Sequence, residues 1–314
     1  MTFTELREYL ETHDDYIIIT HRNPDGDTVG SGFALWNVLK NMGKRAKAVN
    51  CEPFPSRYDF LYEGYSAPEF EPKTVIAVDI ADERLFGDEL MGYAGKVDVC
   101  IDHHISNKYF AKETIVDGKA SSATLILYRF IKETGLPIND IIAKCIYTGL
   151  ATDTGCFKFE NTTPEAHIAA AELMAYNIDF ANVNRRMFDI KSRGRMKVEA
   201  AVKSNMEHLF DGKCAMICVT RQLMEETGVD PAEFDGLASI PLESEEAIIG
   251  ITMKELEKGG FKLSVRTTDK ADASAFCRQF GGGGHIRAAG CEIAGSYEEV
   301  RGTVIKAVGE MFGE

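Results

Sequence analysis

Three stretches of the chain follow one pattern, a short apolar and β-branched run that breaks into acidic and imidazole side chains. Residues 16–20 (YIIIT) lead into His21, Asn23, Asp25 and Asp27, residues 74–80 carry Asp79 at their end, and residues 97–101 lead into Asp102, His103 and His104. A continuous apolar run of this length, bounded by polar residues, predicts a strand buried on both faces. Residues 28–42 repeat at helical spacing instead, through Val29, Phe33, Leu35, Val38 and Leu39, and Gly43 sits where a helix C-cap belongs ahead of a strand at 46–50. Strands at 16–20, 46–50, 74–80 and 97–101 that alternate with helical patterns predict βαβ units and a mostly parallel sheet. From 121 to about 197 the pattern turns mainly helical. It changes again beyond that, with strands predicted at 214–220, 247–253 and 261–268 and helices near 221–240, 270–280 and 297–312.

The predicted class is α/β. An N-terminal domain (1–190), with a mostly parallel sheet and flanking helices, precedes a linker helix (191–212) and a smaller α/β domain (213–314), with the active-site cleft expected between the two domains. A hydrophobic content of 45% excludes a mainly disordered chain, and no run approaches the roughly 18 apolar residues of a membrane span. The first residues read as an acidic helix rather than a signal peptide, so a cytoplasmic protein is expected. Eight scattered cysteines without a CxxC pair predict buried, reduced thiols. The net charge of −14 argues against tight binding to long duplex DNA, where phosphate neutralisation supplies most of the affinity, and leaves small anionic ligands open.

Strand ends of an open parallel sheet lie side by side, and ligands bind along that edge. His21, Asp25, Asp27, Asp79 and His103 can therefore converge, and "GLATDTG" adds Asp153 at the end of a helical run. Any one of these carboxylates reads equally well as a helix N-cap. Taken together, a set dominated by carboxylates, assisted by imidazoles and lacking thiols suits Mn²⁺ or Mg²⁺ better than structural zinc. Four aspartates and two histidines exceed one ion and fit two ions that share a bridging carboxylate, about 3.5–4 Å apart. In the C-terminal half, four glycines at 281–284 ahead of a helix-like "HIRAAG" offer backbone N–H groups to an anion, with Arg266 and His285 placed to add charge-assisted bonds. A second basic segment, 184–197, reads either as a cleft wall or as a solvated helix face.

"HRNPDGDTVGS", "VDIAD", "IDHH" and "GLATDTG" resemble the four motifs of the DHH phosphoesterases, and "GGGGHIRAAG" resembles the glycine-rich signature of their DHH-associated C-terminal domain. The compact length is most similar to the stand-alone oligoribonucleases (nanoRNases), which also dephosphorylate 3′-phosphoadenosine 5′-phosphate (pAp). The resemblance implies two divalent ions, Mn²⁺ before Mg²⁺, and hydrolysis by a metal-activated hydroxide. His21, Asp25 and Asp79 would hold one ion and Asp27, Asp79, His103 and Asp153 the other, with Asp79 as the bridge. It places His104 on the substrate side, and Asp102 either orients an imidazole or caps a helix. Asn23 either points at the phosphate or holds the turn before Pro24. Arg266, Gly282, Gly283, Gly284 and His285 would bind substrate. The implied partners are short RNA or DNA oligonucleotides or small nucleotides, with no long duplex DNA and no membrane, and a homodimer is left open. The other readings carried forward are a linear or cyclic dinucleotide phosphodiesterase acting on pApA or cyclic di-AMP, a RecJ-like single-strand exonuclease, a pyrophosphatase of the family, and a catalytically silent nucleotide-binding regulator.

Overall fold

A computed structural model of the chain describes residues 1–230 and 233–313 and divides into two compact units, Met1–Ile190 and Lys191–Glu314. The first is built on strands β1 (Tyr16–Ile19), β2 (Ala46–Val49), β3 (Thr74–Val78), β4 (Val99–Asp102) and β5 (Glu113–Val116), parallel throughout and ordered β2-β1-β3-β4-β5. The three strands expected to be doubly covered, β1, β3 and β4, are buried at every position. β5 is not among the expected strands: this edge strand is exposed or half-buried along its length, and its apolar stretch is only Ile115 and Val116. The chain leaves β1 for β2 on one side and returns as β3 on the other. This reversal opens a crevice at the carboxyl ends of β1 and β3, the place where an open α/β sheet binds its ligand.

Helices α1 (Phe3–Thr12), α2 (Gly26–Asn41), α3 (Ala123–Thr134), α4 (Asp140–Asp153), α5 (Pro164–Leu173) and α6 (Phe180–Asn184) belong to this unit. Phe33, Leu35, Ile76, Val78, Ile101, Leu125 and Ile146 fill the core between sheet and helices. Two glycines set how closely α2 meets α4. A Cβ at Gly26 would fall 2.2 Å from Thr152 Oγ1, and one at Gly30 would fall 2.6 Å from the Cys145 carbonyl oxygen. That contact carries the end of α4, and with it Asp153, to the beginning of α2. Further along α2, Trp36, the one tryptophan of the chain, packs edge-on against Phe33 and Tyr65 and donates its indole N–H to the Ala46 carbonyl at 3.0 Å.

The second unit comprises α7 (Arg193–Ser204), β6 (Glu207–Leu209), β7 (Cys214–Val219), α8 (Arg221–Thr227), β8 (Ile249–Glu255), β9 (Phe261–Thr267), α9 (Ala273–Arg278), β10 (Gly283–His285), β11 (Ala288–Ile293) and α10 (Tyr297–Phe312). Its strands are ordered β10-β11-β9-β8-β7-β6, with β7 and β8 parallel and the other neighbours antiparallel. Three expectations need correction. The segment read as a linker helix is a shorter helix, α7, followed by strand β6, and both lie within the second unit. The helix expected over 221–240 stops at Gly228, whose left-handed backbone caps α8, and a 3₁₀ turn at Asp235–Glu243 follows; residues 231 and 232 of that stretch lie outside the described residues. "HIRAAG" is not helical: Ala288–Ile293 alternates between half-exposed and more buried positions with the period of a strand and forms a hairpin with the glycines before it.

Among the described residues, all eight cysteines are free and no helix is long and apolar enough to cross a membrane.

Candidate active site

The crevice between β1 and β3 collects the polar residues singled out in the first unit. His21 follows β1, and Asp25 caps α2 by accepting the Asp27 and Thr28 N–H groups at 3.0 Å each. Asp79 follows β3 with a left-handed backbone (φ +58°), a conformation uncommon for non-glycine residues, though aspartate adopts it more readily than most. Asp102 is the last residue of β4, His103 and His104 come next, and Asp153 ends α4.

These side chains form two groups around one carboxylate. His21 Nε2 lies 3.7 Å from Asp25 Oδ1 and 3.5 Å from Asp79 Oδ2. His103 Nε2 lies 3.8 Å from Asp27 Oδ2, 3.6 Å from Asp79 Oδ1 and 3.6 Å from Asp153 Oδ2. Two donors about 2.1 Å from one cation sit about 3 Å apart when adjacent and about 4.2 Å apart when opposite, so these separations suit shared coordination better than direct hydrogen bonds. Two further observations fit a cation. Asp79 Oδ1 is buried without a hydrogen-bond partner, which is costly for a carboxylate oxygen. Both imidazoles also have Nδ1 turned to a main-chain carbonyl, His21 to Arg22 at 2.8 Å and His103 to Ala120 at 3.3 Å. With the proton on Nδ1, the Nε2 lone pair faces the carboxylates, the arrangement of a histidine metal ligand.

The electrostatics agree. Burial, together with the Asp27 and Asp25 charges, holds the Asp79 carboxyl well above the usual carboxylate range. Burial and the charges of Asp27 and Asp79 push Asp153 up to about 9. Burial also raises Asp27, although its Oδ1 accepts from Thr124 N–H and Oγ1 and its Oδ2 from Ala123 N–H, at the positive end of α3. Burial by itself lowers His21, but the Asp25 and Asp79 carboxylates overcome it and push the imidazole up to about 11. The raised carboxyl values reflect the cost of ionising these buried groups side by side, a cost that a divalent cation at this edge would offset.

His104 has a different environment. Its Nδ1 meets Asp102 Oδ1 at 2.7 Å, while Asp102 Oδ2 accepts from Asn107 Nδ2 at 2.6 Å. No helix begins at Asp102, so the capping alternative does not apply. The Asp102 hydrogen bond holds His104 above its ordinary pKa, and its side chain remains 42% exposed. Asn107 was missed by sequence reasoning. The available signal was a lone amide five residues beyond Asp102 in a loop, and the structure shows it buried, with Nδ2 also 3.2 Å from the Ile80 carbonyl. Asn23 stays outside the cluster. It is exposed with a left-handed backbone (φ +56°), which favours its reading as a turn residue ahead of Pro24.

In the second unit, the cross-strand register places Arg266 (β9), Ala288 (β11) and His285 (β10) in one row. Partners in such a row project from the same face, so Arg266 and His285 stand roughly 10 Å apart, two strand spacings, with a methyl group between them. Gly250 lies opposite Arg266 on the other side, which leaves the guanidinium flanked by small residues. Gly282 precedes β10, while Gly283 and Gly284 lie in it; these residues form an edge strand rather than the N-terminus of a helix, so the anion-binding logic of a helix end does not apply. In the other basic segment three of six basic residues have acidic partners, Arg186 with Asp59 at 2.7 Å and Lys191 and Arg195 with Glu199 at 2.7 and 2.6 Å.

Residues 15–150 match the model of the DHH family, N-terminal domain, and residues 213–314 match the DHHA1 domain. The bifunctional oligoribonuclease and PAP phosphatase NrnA of Thermus thermophilus is 31% identical over 298 residues, covering 93% of this chain and 89% of the relative. The chain belongs to the DHH family. Another member, the bifunctional oligoribonuclease and PAP phosphatase NrnA of Bacillus subtilis, is 27% identical over 92% of this chain and 93% of its own. Among solved structures, an exopolyphosphatase-related protein from Bacteroides fragilis superposes with a TM-score of 0.87 at 24% identity, covering 99% of this chain and 97% of that one. RecJ of Thermus thermophilus in complex with Mn²⁺ gives a TM-score of 0.52 at 17% identity over 98% of this chain and 53% of its own. At these identities the two structures establish a shared DHH-family fold.

Proposed function

We propose that this DHH-family phosphoesterase hydrolyses short oligoribonucleotides and pAp, using two divalent cations, Mn²⁺ foremost. The observation that carries the reading is the buried, unpartnered Oδ1 of Asp79 between two imidazole–carboxylate groups. His21, Asp25 and Asp79 would hold one ion, and Asp27, Asp79, His103 and Asp153 the other. When bound, such ions activate a water for attack and neutralise charge on the phosphoryl oxygens.

The rest of the chemistry falls to the chain's own residues. Asp102 fixes His104 through Nδ1, so Nε2 is free to donate a proton to the leaving oxygen, and the Asp102 hydrogen bond favours the protonated imidazole. Arg266 and His285 would bind a further phosphate of the substrate through charge-assisted bonds. Short substrates suit this chain because its net charge is −14 and several of its basic residues already have acidic partners, so nucleotides beyond the first few gain little and meet a repulsive field. The relatives named as oligoribonucleases and PAP phosphatases over nearly their whole lengths support the same substrate classes.

The test is a hydrolysis panel with Mn²⁺ that compares RNA of two to about twenty nucleotides, pAp, pApA, cyclic di-AMP and pyrophosphate. The expected result is kcat/KM highest for pAp and for RNA of two to about five nucleotides, with a shallow salt dependence. Efficiency that rises steadily with RNA length would replace this reading with a processive exonuclease, and a preference for cyclic di-AMP would replace it with a cyclic-dinucleotide phosphodiesterase.

A further inference from the structure

The loop that follows Asp153 carries two phenylalanines with opposite fates. Phe157 turns inward and stacks on His167, with ring centroids 5.1 Å apart and planes 27° apart. Phe159 turns outward and is 60% exposed. Its ring nevertheless lies close on Gly155, where a Cβ would come within 2.4–2.6 Å of three ring atoms. Three consecutive left-handed residues, Gly155 (φ +57°), Cys156 (φ +58°) and Phe157 (φ +63°), fold the chain back to make that contact. Two non-glycine residues in this conformation store backbone strain, which tends to accumulate where geometry serves a ligand.

The loop is also tied to both ends of the carboxylate–imidazole cluster. Asn161 Nδ2 donates to the carbonyls of Asp153 and Ser121 at 3.1 Å each, and Ser121 Oγ donates back to the Asn161 carbonyl at 2.5 Å. Ser121 is next to Ala120, whose carbonyl meets His103 Nδ1. One face of the Phe159 ring thus lies on the backbone two residues beyond Asp153, in a loop whose Asn161 bonds the Asp153 carbonyl.

We propose that the outer face of Phe159 is a stacking platform for the nucleobase whose phosphate enters the cluster, a subsite that rests on the nucleotide phosphoesterase reading above. Stacking on an aromatic face tolerates any base, because every base has a π-face, and this suits an enzyme that takes oligonucleotides of mixed sequence as well as pAp. A ring already packed on Gly155 gives up less side-chain entropy than a free one when a base covers it.

The experiment compares ligands with and without a base. Dissociation constants for adenosine 5′-monophosphate and ribose 5-phosphate are measured calorimetrically with Mn²⁺ for the wild-type protein, Phe159→Ala and Phe159→Trp. In parallel, kcat/KM is measured for pAp and for the same bisphosphate lacking adenine. The wild-type protein should prefer the base-bearing member of each pair. Phe159→Ala should reduce that preference on the order of tenfold to a hundredfold, mainly through Kd and KM, while Phe159→Trp retains it. A preference in Phe159→Ala within about twofold of wild type, or loss of the preference in Phe159→Trp, overturns the platform. If the wild-type protein turns over neither pAp nor oligonucleotides, the substrate reading fails on its own, and the ratio of dissociation constants still decides whether Phe159 stacks a base.

Discussion

The carboxyl edge of the first sheet and the Arg266–His285 row of the second form opposite kinds of surface. In the first unit four of the six candidate ligands are tied by neighbours: Asp25 by a helix end, Asp27 by Thr124 and the start of α3, and His21 and His103 by carbonyls. In the second unit, His285 sits on an exposed edge strand and Arg266 is flanked by glycine and alanine. Closely grouped, mutually repelling groups arranged around the buried Asp27 and Asp79 suit a centre whose geometry must not change during reaction. A half-buried arginine and an exposed histidine on a sheet face suit binding that accommodates different substrates. Chemistry should therefore be lost when the first region is altered, and affinity when the second is.

The sharpest break comes at Asp79. Asp79→Asn keeps the size of the side chain and tolerates the left-handed backbone, yet it removes the carboxylate common to both groups. Turnover of every substrate should fall by about 10⁴-fold or more, with the circular-dichroism spectrum unaltered. Retention of a tenth of wild-type activity at saturating Mn²⁺ would remove Asp79 from the centre. Next in size is His104→Ala, expected to lower kcat by about 10²–10³-fold with little effect on KM. Asn107→Ala acts through Asp102 and should lower kcat by about tenfold. If either change acts on KM alone, His104 belongs with substrate binding.

The comparison is tested from the other side by Arg266→Ala and His285→Ala, each expected to raise KM for dinucleotides about tenfold while kcat changes less. A collapse of kcat at unchanged KM would place these groups at the reacting phosphate. The smallest effect is on stability and depends on pH. A carboxyl whose pKa is higher folded than unfolded binds more protons in the folded state, so stability falls as pH rises between the two values. For Asp153 that window runs from the ordinary value near 4 to about 9, and Asp27 and Asp79 shift in the same direction. The raised His21 adds a loss over the upper part of the range and beyond. Chelated protein should therefore lose Tm from about pH 5 to pH 9, and saturating Mn²⁺ should restore on the order of 5–10 °C at the alkaline end. A Tm that Mn²⁺ does not raise, or raises equally in Asp79→Asn, would count against a cation there.

What the sequence revealed follows from how each element is buried. β1, β3 and β4 are covered on both faces, so their apolar runs were legible, and the groups they lead into could be assigned to one edge by topology alone. β5, β6 and β10 are edge strands of three or four residues, half-exposed or glycine-rich, and even the β-branched Thr114–Val116 of β5 is too short a run to stand out. The Ala-rich run before Cys291 suggested a helix, and pairing with β9 decided otherwise, a tertiary override of local propensity. Asn107 was not legible because its role depends on a hydrogen bond to Asp102 across a loop, and Phe159 because only the fold reveals which of two nearby phenylalanines faces solvent.

Trp36 lies on α2, the helix whose first turn carries Asp25 and Asp27, and it is the chain's one indole. Intrinsic tryptophan emission from the unaltered protein is therefore a local signal. It follows the loosening of the helix that bears the carboxylates and does not register the second unit directly. A denaturation curve followed by fluorescence, laid over one followed by circular dichroism, which sees both units, would show whether the two melt together or in sequence without any label being introduced.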